Sequence, residues 1–177
     1  MSCGLRLALQ SSFRSHRKSE ERKRLVKKSL HNPIYFEEII SRISKLTENS
    51  QPKWGRMNVC QMMRHCNCVL QVPVKKIELP VVNPLFGAIG ILTKWEMQIF
   101  NNGIPRNMPT FRKLIINFDC DFDEEKENLL AALDEYRIIF KTKKFPHHHV
   151  LFGKMKEKDW GFMEYKHLNH HLKQFNV

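Results

Sequence analysis

Five stretches of this chain place apolar residues at helical spacing, three of them behind recognisable start signals, and none alternates in the way two paired strands require. That pattern restricts the fold to an all-α class, in which each helix buries one stripe against its neighbours. The first firm start is Asn32-Pro33, an N-cap followed by proline at the first helical position. Glu37 and Glu38 follow, near the end of the helix where the macrodipole favours negative charge. Ile39, Ile43 and Leu46 then recur on one face, so a helix is expected to about residue 45 or 46, with a loop from Thr47 to Pro52.

Asn58 with Gln61 three positions later is a capping-box variant, which predicts a second helix from Val59 that runs until Pro73. Met62, His65 and Val69 share a face of it, placing the His65 imidazole on the buried side. Residues 80–102 read as a third helix despite Gly87 and Gly90, closed by Asn-Asn-Gly. The stretch 104–120 carries Pro105 and Pro109 and reads as an irregular crossover. A capping box at Asp121 and Glu124 opens a fourth helix through Leu129, Leu133, Tyr136 and Ile139. The last runs from Lys156 to about Phe175, with Trp160, Met163, His167 and His171 on its buried face. Five helical patterns without paired strands indicate a bundle, four long helices plus a basic lead-in.

Charge separates that lead-in from the rest. Seven of the twelve net positive charges lie in residues 1–30, leaving the other 147 residues only mildly basic. We therefore divide the chain into an extension, 1–30, disordered or loosely helical, and one domain, 31–177. With 42% hydrophobic residues over the whole chain, a real core can form in the latter. The opening apolar stretch, Leu5 to Leu9, is too short for a secretory signal. Phe13 is the only aromatic residue of the arm, so nucleic acid is not an expected partner. No run approaches the roughly 18 apolar residues of a membrane helix. Five cysteines, an odd set without a C-x-x-C pair, read as reduced thiols in a cytoplasmic protein.

The chemistry concentrates in histidine. His167 and His171 lie one helical turn apart on one face, and His65 would approach across the interior as a third nitrogen donor. Three neutral imidazoles suit zinc, nickel, iron(II) or copper, and three protein ligands leave a position open for chemistry. Periodicity nominates outer partners for the rings: Glu164 for His167, Gln174 for His171 and Gln61 for His65. Glu164 is also the carboxylate placed to act as general base. Spacing alone leaves alternatives, because a histidine pair at i,i+4 is often simple surface, a glutamate is most often solvated, and His170 fits the periodicity as a partner of His167. The run His147-His148-His149 reads as an incidental loop, and Cys66 and Cys68, two apart, as packing residues on different faces.

The stretches PKWGRMNVCQMMRHC (residues 52–66) and LFGKMKEKDWGFMEYKHLNHHLKQFNV (residues 151–177) resemble a bacterial family of unknown function within the DinB-like (YfiT-like) metalloenzyme superfamily. The likeness covers about residues 31–177. It implies a four-helix bundle of up-down-down-up connectivity, with metal ligands at His65, His167 and His171 and with His170 outside the set. Two departures stand out: HHHVL precedes FGKM where relatives carry aromatic residues and proline, and Lys156 replaces the usual Thr or Ser cap, so the first turn is expected to fray. Some members of that superfamily look like transferases using low-molecular-weight thiols, others like metal-dependent hydrolases or isomerases. The expectation is a divalent-metal-dependent enzyme, S-transferase or hydrolase, acting on a small molecule. A non-catalytic metal-binding bundle with a stress-related or regulatory role is the alternative. A homodimer is compatible with either, since such bundles often pair through exposed helix faces.

Overall fold

The computed structural model describes residues 26–142 and 145–177, so most of the basic lead-in, including Cys3 and Phe13, lies outside the described residues. Among those described are five α-helices: α1 (Pro33–Ser44), α2 (Val59–Leu70), α3 (Pro84–Phe100), α4 (Phe122–Thr142) and α5 (Glu157–Gln174). A 3-10 turn, Arg112–Leu114, interrupts the crossover between α3 and α4. The chain is mostly helical, as its periodicity predicts.

The start signals act as read. The Asn32 side chain accepts from the Ile34 N–H with proline at the first helical position. Asn58 and Gln61 close a reciprocal capping box, at 2.8 and 3.1 Å. Asp121 accepts from the Glu124 N–H at 2.8 Å. Each such bond satisfies a backbone donor that the helix itself leaves without a partner, which is why these residues mark the boundaries. At α5 the expectation of fraying is corrected. Asp159 reaches back to accept from the Lys156 N–H at 2.8 Å, and Trp160 donates to the Pro146 carbonyl at 2.8 Å. The Asp159 carboxylate and the Trp160 indole thus hold the chain entering the helix in place, by contacts different from the one a Thr or Ser cap would make to the first-turn N–H groups.

The core draws Ile39 and Ile43 from α1, Met62 and Met63 from α2, Leu129, Leu133 and Tyr136 from α4, and Leu168 and Leu172 from α5. Burial of each such aliphatic side chain stabilises the fold by about 1.5–3 kcal/mol relative to exposure. α2 packs most extensively on α4, and α5 lies against both α1 and α2. Leu30 joins this core and its N–H donates to the Gly161 carbonyl at 2.8 Å. A smaller cluster of Cys68, Leu114 and Ile116 lies beneath the crossover.

Two expectations fail. The triple histidine does not lie in a plain loop: His148–His149 pairs antiparallel with Gly153–Lys154 in a two-stranded hairpin, β1 and β2. Inside it, His149 Nδ1 accepts from the N–H groups of Leu151 and Phe152, so the ring itself holds the turn together. The reading of all cysteines as free thiols fails as well. Cys60, at the start of α2, is disulfide-bonded to Cys120, just before α4, whereas Cys66 and Cys68 are free and buried. That pairing removes the thiol argument for a reducing compartment. No helix among the described residues is long and apolar enough to cross a membrane.

α3 sits differently from the other helices. Of its residues only Gly90, Lys94 and Met97 are buried. It rests on the hairpin, where a Cβ on Gly90 would strike the Leu151 carbonyl and side chain, so only glycine lets the two backbones approach this closely. Lys94 Nζ donates to the Lys154 carbonyl at 2.6 Å, and Lys166 Nζ from α5 donates to the carbonyls of Asn101 and Asn102 at 2.8 and 2.9 Å. The second of these contacts puts a cation at the carbonyl-rich end of α3, where it is favoured.

Candidate metal centre

His65 is buried in α2, and His167 and His171 stand one turn apart on α5, the helix that packs against it. One ring nitrogen from each of the three lies within 4.8 Å of the other two. The ring centroids are 4.7 to 5.0 Å apart and mutually tilted, so the rings converge on a shared point rather than stack. His65 Nε2 and His167 Nε2 approach to 3.1 Å.

Hydrogen bonds around the rings decide which nitrogens carry lone pairs. His65 Nδ1 is 2.7 Å from the Leu114 carbonyl; a carbonyl only accepts, so Nδ1 carries the proton and Nε2 is free. Gln174 Nε2 donates to the Trp54 carbonyl at 2.6 Å, which turns its Oε1 toward His171 Nδ1 at 2.9 Å. The amide orientation therefore fixes the His171 tautomer, again leaving Nε2 without a proton. Gly55 makes this possible. It adopts φ +83°, and a Cβ there would come within 2.6 Å of Gln174 Nε2.

Burial holds all three imidazoles below their usual range. His171 is pushed down to about 3 by burial and then by the nearby His65. His65 is lowered by burial against the opposing Leu114 bond, and His167 falls well below its ordinary value through burial and then the neighbouring rings. All three are neutral at pH 7, the state a metal requires. Two nitrogens held at about 2.1 Å from one tetrahedral ion stand roughly 3.4 Å apart, close to the separation of His65 and His167. The donor set and its geometry fit one divalent transition ion.

Three buried polar atoms on residues lining the site have no hydrogen-bond partner, Glu164 Oε2, His167 Nδ1 and Trp54 Nε1. Glu164 is not the solvated surface residue that glutamate most often is. It is 4% exposed, and burial raises its carboxyl to about 8. Nor does it orient His167 through a hydrogen bond, since His167 Nδ1 has none. Gln61 is likewise committed elsewhere, capping α2 and donating to the Phe118 carbonyl at 3.1 Å. His170 stands beside the trio, its Nδ1 donating to the Ile104 carbonyl at 3.1 Å and its ring edge-on to Trp54. Of the three outer partners that periodicity nominates, only Gln174 reaches its ring.

Sequence reasoning missed the carbonyls of Leu114 and Trp54. Neither could be found from side-chain patterns, because each acts through its backbone in irregular chain. Gly55 was the one local signal near Trp54, since glycine supplies the positive φ that a turn there requires. The histidines open onto a cavity of about 480 Å³, whose lining includes His65, His167, His171, Glu164 and His149.

No curated protein and no solved structure matches the chain. A family model described as a protein of unknown function, DUF1569, matches residues 25–177, which takes in every element of the fold and all three converging histidines. The chain belongs to the DUF1569 family.

Proposed function

We propose that this protein is a metal-dependent enzyme in which His65, His167 and His171 hold one divalent ion of zinc, nickel or iron through their Nε2 atoms. The observation that carries the proposal is the convergence of three neutral imidazoles, two with tautomers set by carbonyl or amide partners, at the floor of a cavity. When bound, the ion supplies Lewis-acid polarisation of a substrate heteroatom or of water. Glu164 is the proton-handling residue. Its Oε2 has no internal partner, and its raised pKa lets it give up or take a proton near neutral pH. The attacking group is water in a hydrolase or a low-molecular-weight thiol in an S-transferase. An inert metal-bound bundle would need no space beside its histidines, which is why the cavity favours an enzyme.

In this reading α1, α2, α4 and α5 are the members of an up-down-down-up four-helix bundle of DinB-like type, spanning residues 31–177, and α3 is an insertion. The core is drawn mainly from those four helices, which supports that reading.

Metal analysis of the purified protein tests the site. We expect close to one equivalent of a divalent transition metal in the wild type, and loss of most of it in His65→Ala and His167→Ala with helical content retained. Wild-type metal content in both variants would refute the assignment. Turnover screening with electrophilic substrates, with and without added thiol, then separates the transferase from the hydrolase.

A further inference from the structure

The cavity beside the histidines extends well past them. Its walls come from α2 and the chain that follows it, from the crossover, from the hairpin and from α5, and include Val69, Val72, Leu79, Phe111, Met155 and Trp160. Its lining holds no lysine and no aspartate. Arg56 is the one Lys or Arg side chain on it, and that residue is exposed, where solvent screens its charge. At the deep end lie the three histidines and Glu164, whose Oε2 is buried without a partner. A buried polar atom in that state lacks the hydrogen bond it would make in water, which a hydrogen-bonding ligand group would restore.

From this juxtaposition we infer that the cavity takes an uncharged, predominantly apolar small molecule. Its body lies along the aliphatic and aromatic walls, and one hydrogen-bonding group, such as a hydroxyl or thiol, points toward Glu164 and the histidines. Removing apolar surface from water supplies the affinity. The single polar end supplies the orientation, the division of labour usual in small-molecule sites. A carboxylate or phosphate on the same body is disfavoured in the metal-free site, because the one cation of the lining, Arg56, is exposed and the Nε2 atoms of His65 and His171 present lone pairs rather than donors.

The inference deepens the enzyme reading and rests on it only for the polar end of the ligand. Binding to the walls can be measured without metal. The probe is N-phenyl-1-naphthylamine, uncharged and fluorescent in apolar surroundings, titrated into full-length protein with and without metal. Trp54 and Trp160 line the cavity, so quenching of their emission reports binding at this place. We expect saturable binding of one probe per chain in both forms. Displacement from the metal-free form should be at least tenfold more effective by 1-decanol than by decanoate. Val72→Trp, or Leu79→Trp should the first variant fail to fold, should weaken probe binding at least tenfold by filling the cavity. His167→Ala should lose metal yet keep the probe, so failure of the metal reading and failure of this one give different results. Absence of saturable binding, equal displacement by decanoate, or unchanged affinity in a folded cavity-filling variant would each overturn the inference.

Discussion

α3 and α5 invert the usual relation between composition and burial. α3 carries two charged residues among its 17, yet only three of its residues are buried, and one of those is Lys94. Leu85, Phe86, Ile89, Leu92, Trp95, Ile99 and Phe100 all stand half or more exposed. α5 is far more polar, yet twelve of its 18 residues are buried, among them Asp159, Glu164, Lys166 and His171. Mean apolarity does not decide which helix occupies the centre. Partnering of polar groups does. Asp159 binds the Lys156 N–H and Gln98, Lys166 binds the carbonyls ending α3, and His171 binds Gln174, so most of the burial cost is offset bond by bond. Where that compensation stops, at Glu164 Oε2 and His167 Nδ1, the candidate centre begins.

The sharpest way to break this comparison is to truncate one leucine on each helix. Leu168→Ala on α5 removes a side chain that is 1% exposed, and should lower unfolding free energy by about 2–5 kcal/mol. Leu92→Ala on the outer face of α3, 62% exposed, should change it by less than about 0.5 kcal/mol. Denaturant titration of both decides the matter, and equal losses would mean that the outer face of α3 is covered.

A second test concerns the uncompensated carboxyl. In metal-stripped protein, folded Glu164 keeps its proton to about pH 8, whereas the unfolded residue releases it near 4.5. Stability therefore falls as pH rises through that window, by at most about 1.4 kcal/mol per pH unit. The histidines act in the opposite sense: unfolded imidazoles bind protons near 6.5 and folded His171 only near 3, so stability is lost as pH drops below 6.5. Between 4.5 and 6.5 several histidines oppose one carboxyl and prevail. Thermal melting should thus show a maximum near pH 6.5 to 7, and Glu164→Gln should abolish the decline from there to about pH 8. An unchanged alkaline limb would remove Glu164 from the account.

The most local effect, read at the site rather than in the fold, is expected of Gly55→Ala. The positive φ costs a Cβ-bearing residue about 1–2 kcal/mol, and the added methyl displaces Gln174. Metal affinity should fall about tenfold or more as His171 loses its orienting bond, with helical content unchanged. Metal competition titration reads it directly.

These tests also mark what could be read from the chain. Asn32-Pro33, Asn58 with Gln61, and Asp121 with Glu124 are local signals within four residues, and each opens a helix where expected. The spacing of His167 and His171 is equally local, and the position of His65 follows from the buried face of α2. Legibility ends where long-range contacts decide. The Leu114 carbonyl reaches His65 across 49 residues and the Trp54 carbonyl reaches Gln174 across 120, neither with a periodicity to betray it. The hairpin at the triple histidine was missed because its strands are two residues each, too short to alternate. Nor does spacing show that Cys60 pairs with Cys120 or that the apolar face of α3 turns outward.

The bond between Cys60 and Cys120 closes α2, α3 and the whole crossover into a covalent ring. His65 and the Leu114 carbonyl that orients it both belong to that ring. A protease cutting the exposed stretch around residues 105–107 would open the loop without releasing either fragment, and the nicked protein would keep its molecular mass until a reductant was added. The cross-link makes the pairing of imidazole and carbonyl a property of a topologically closed unit, one that outlasts a break in the linear chain.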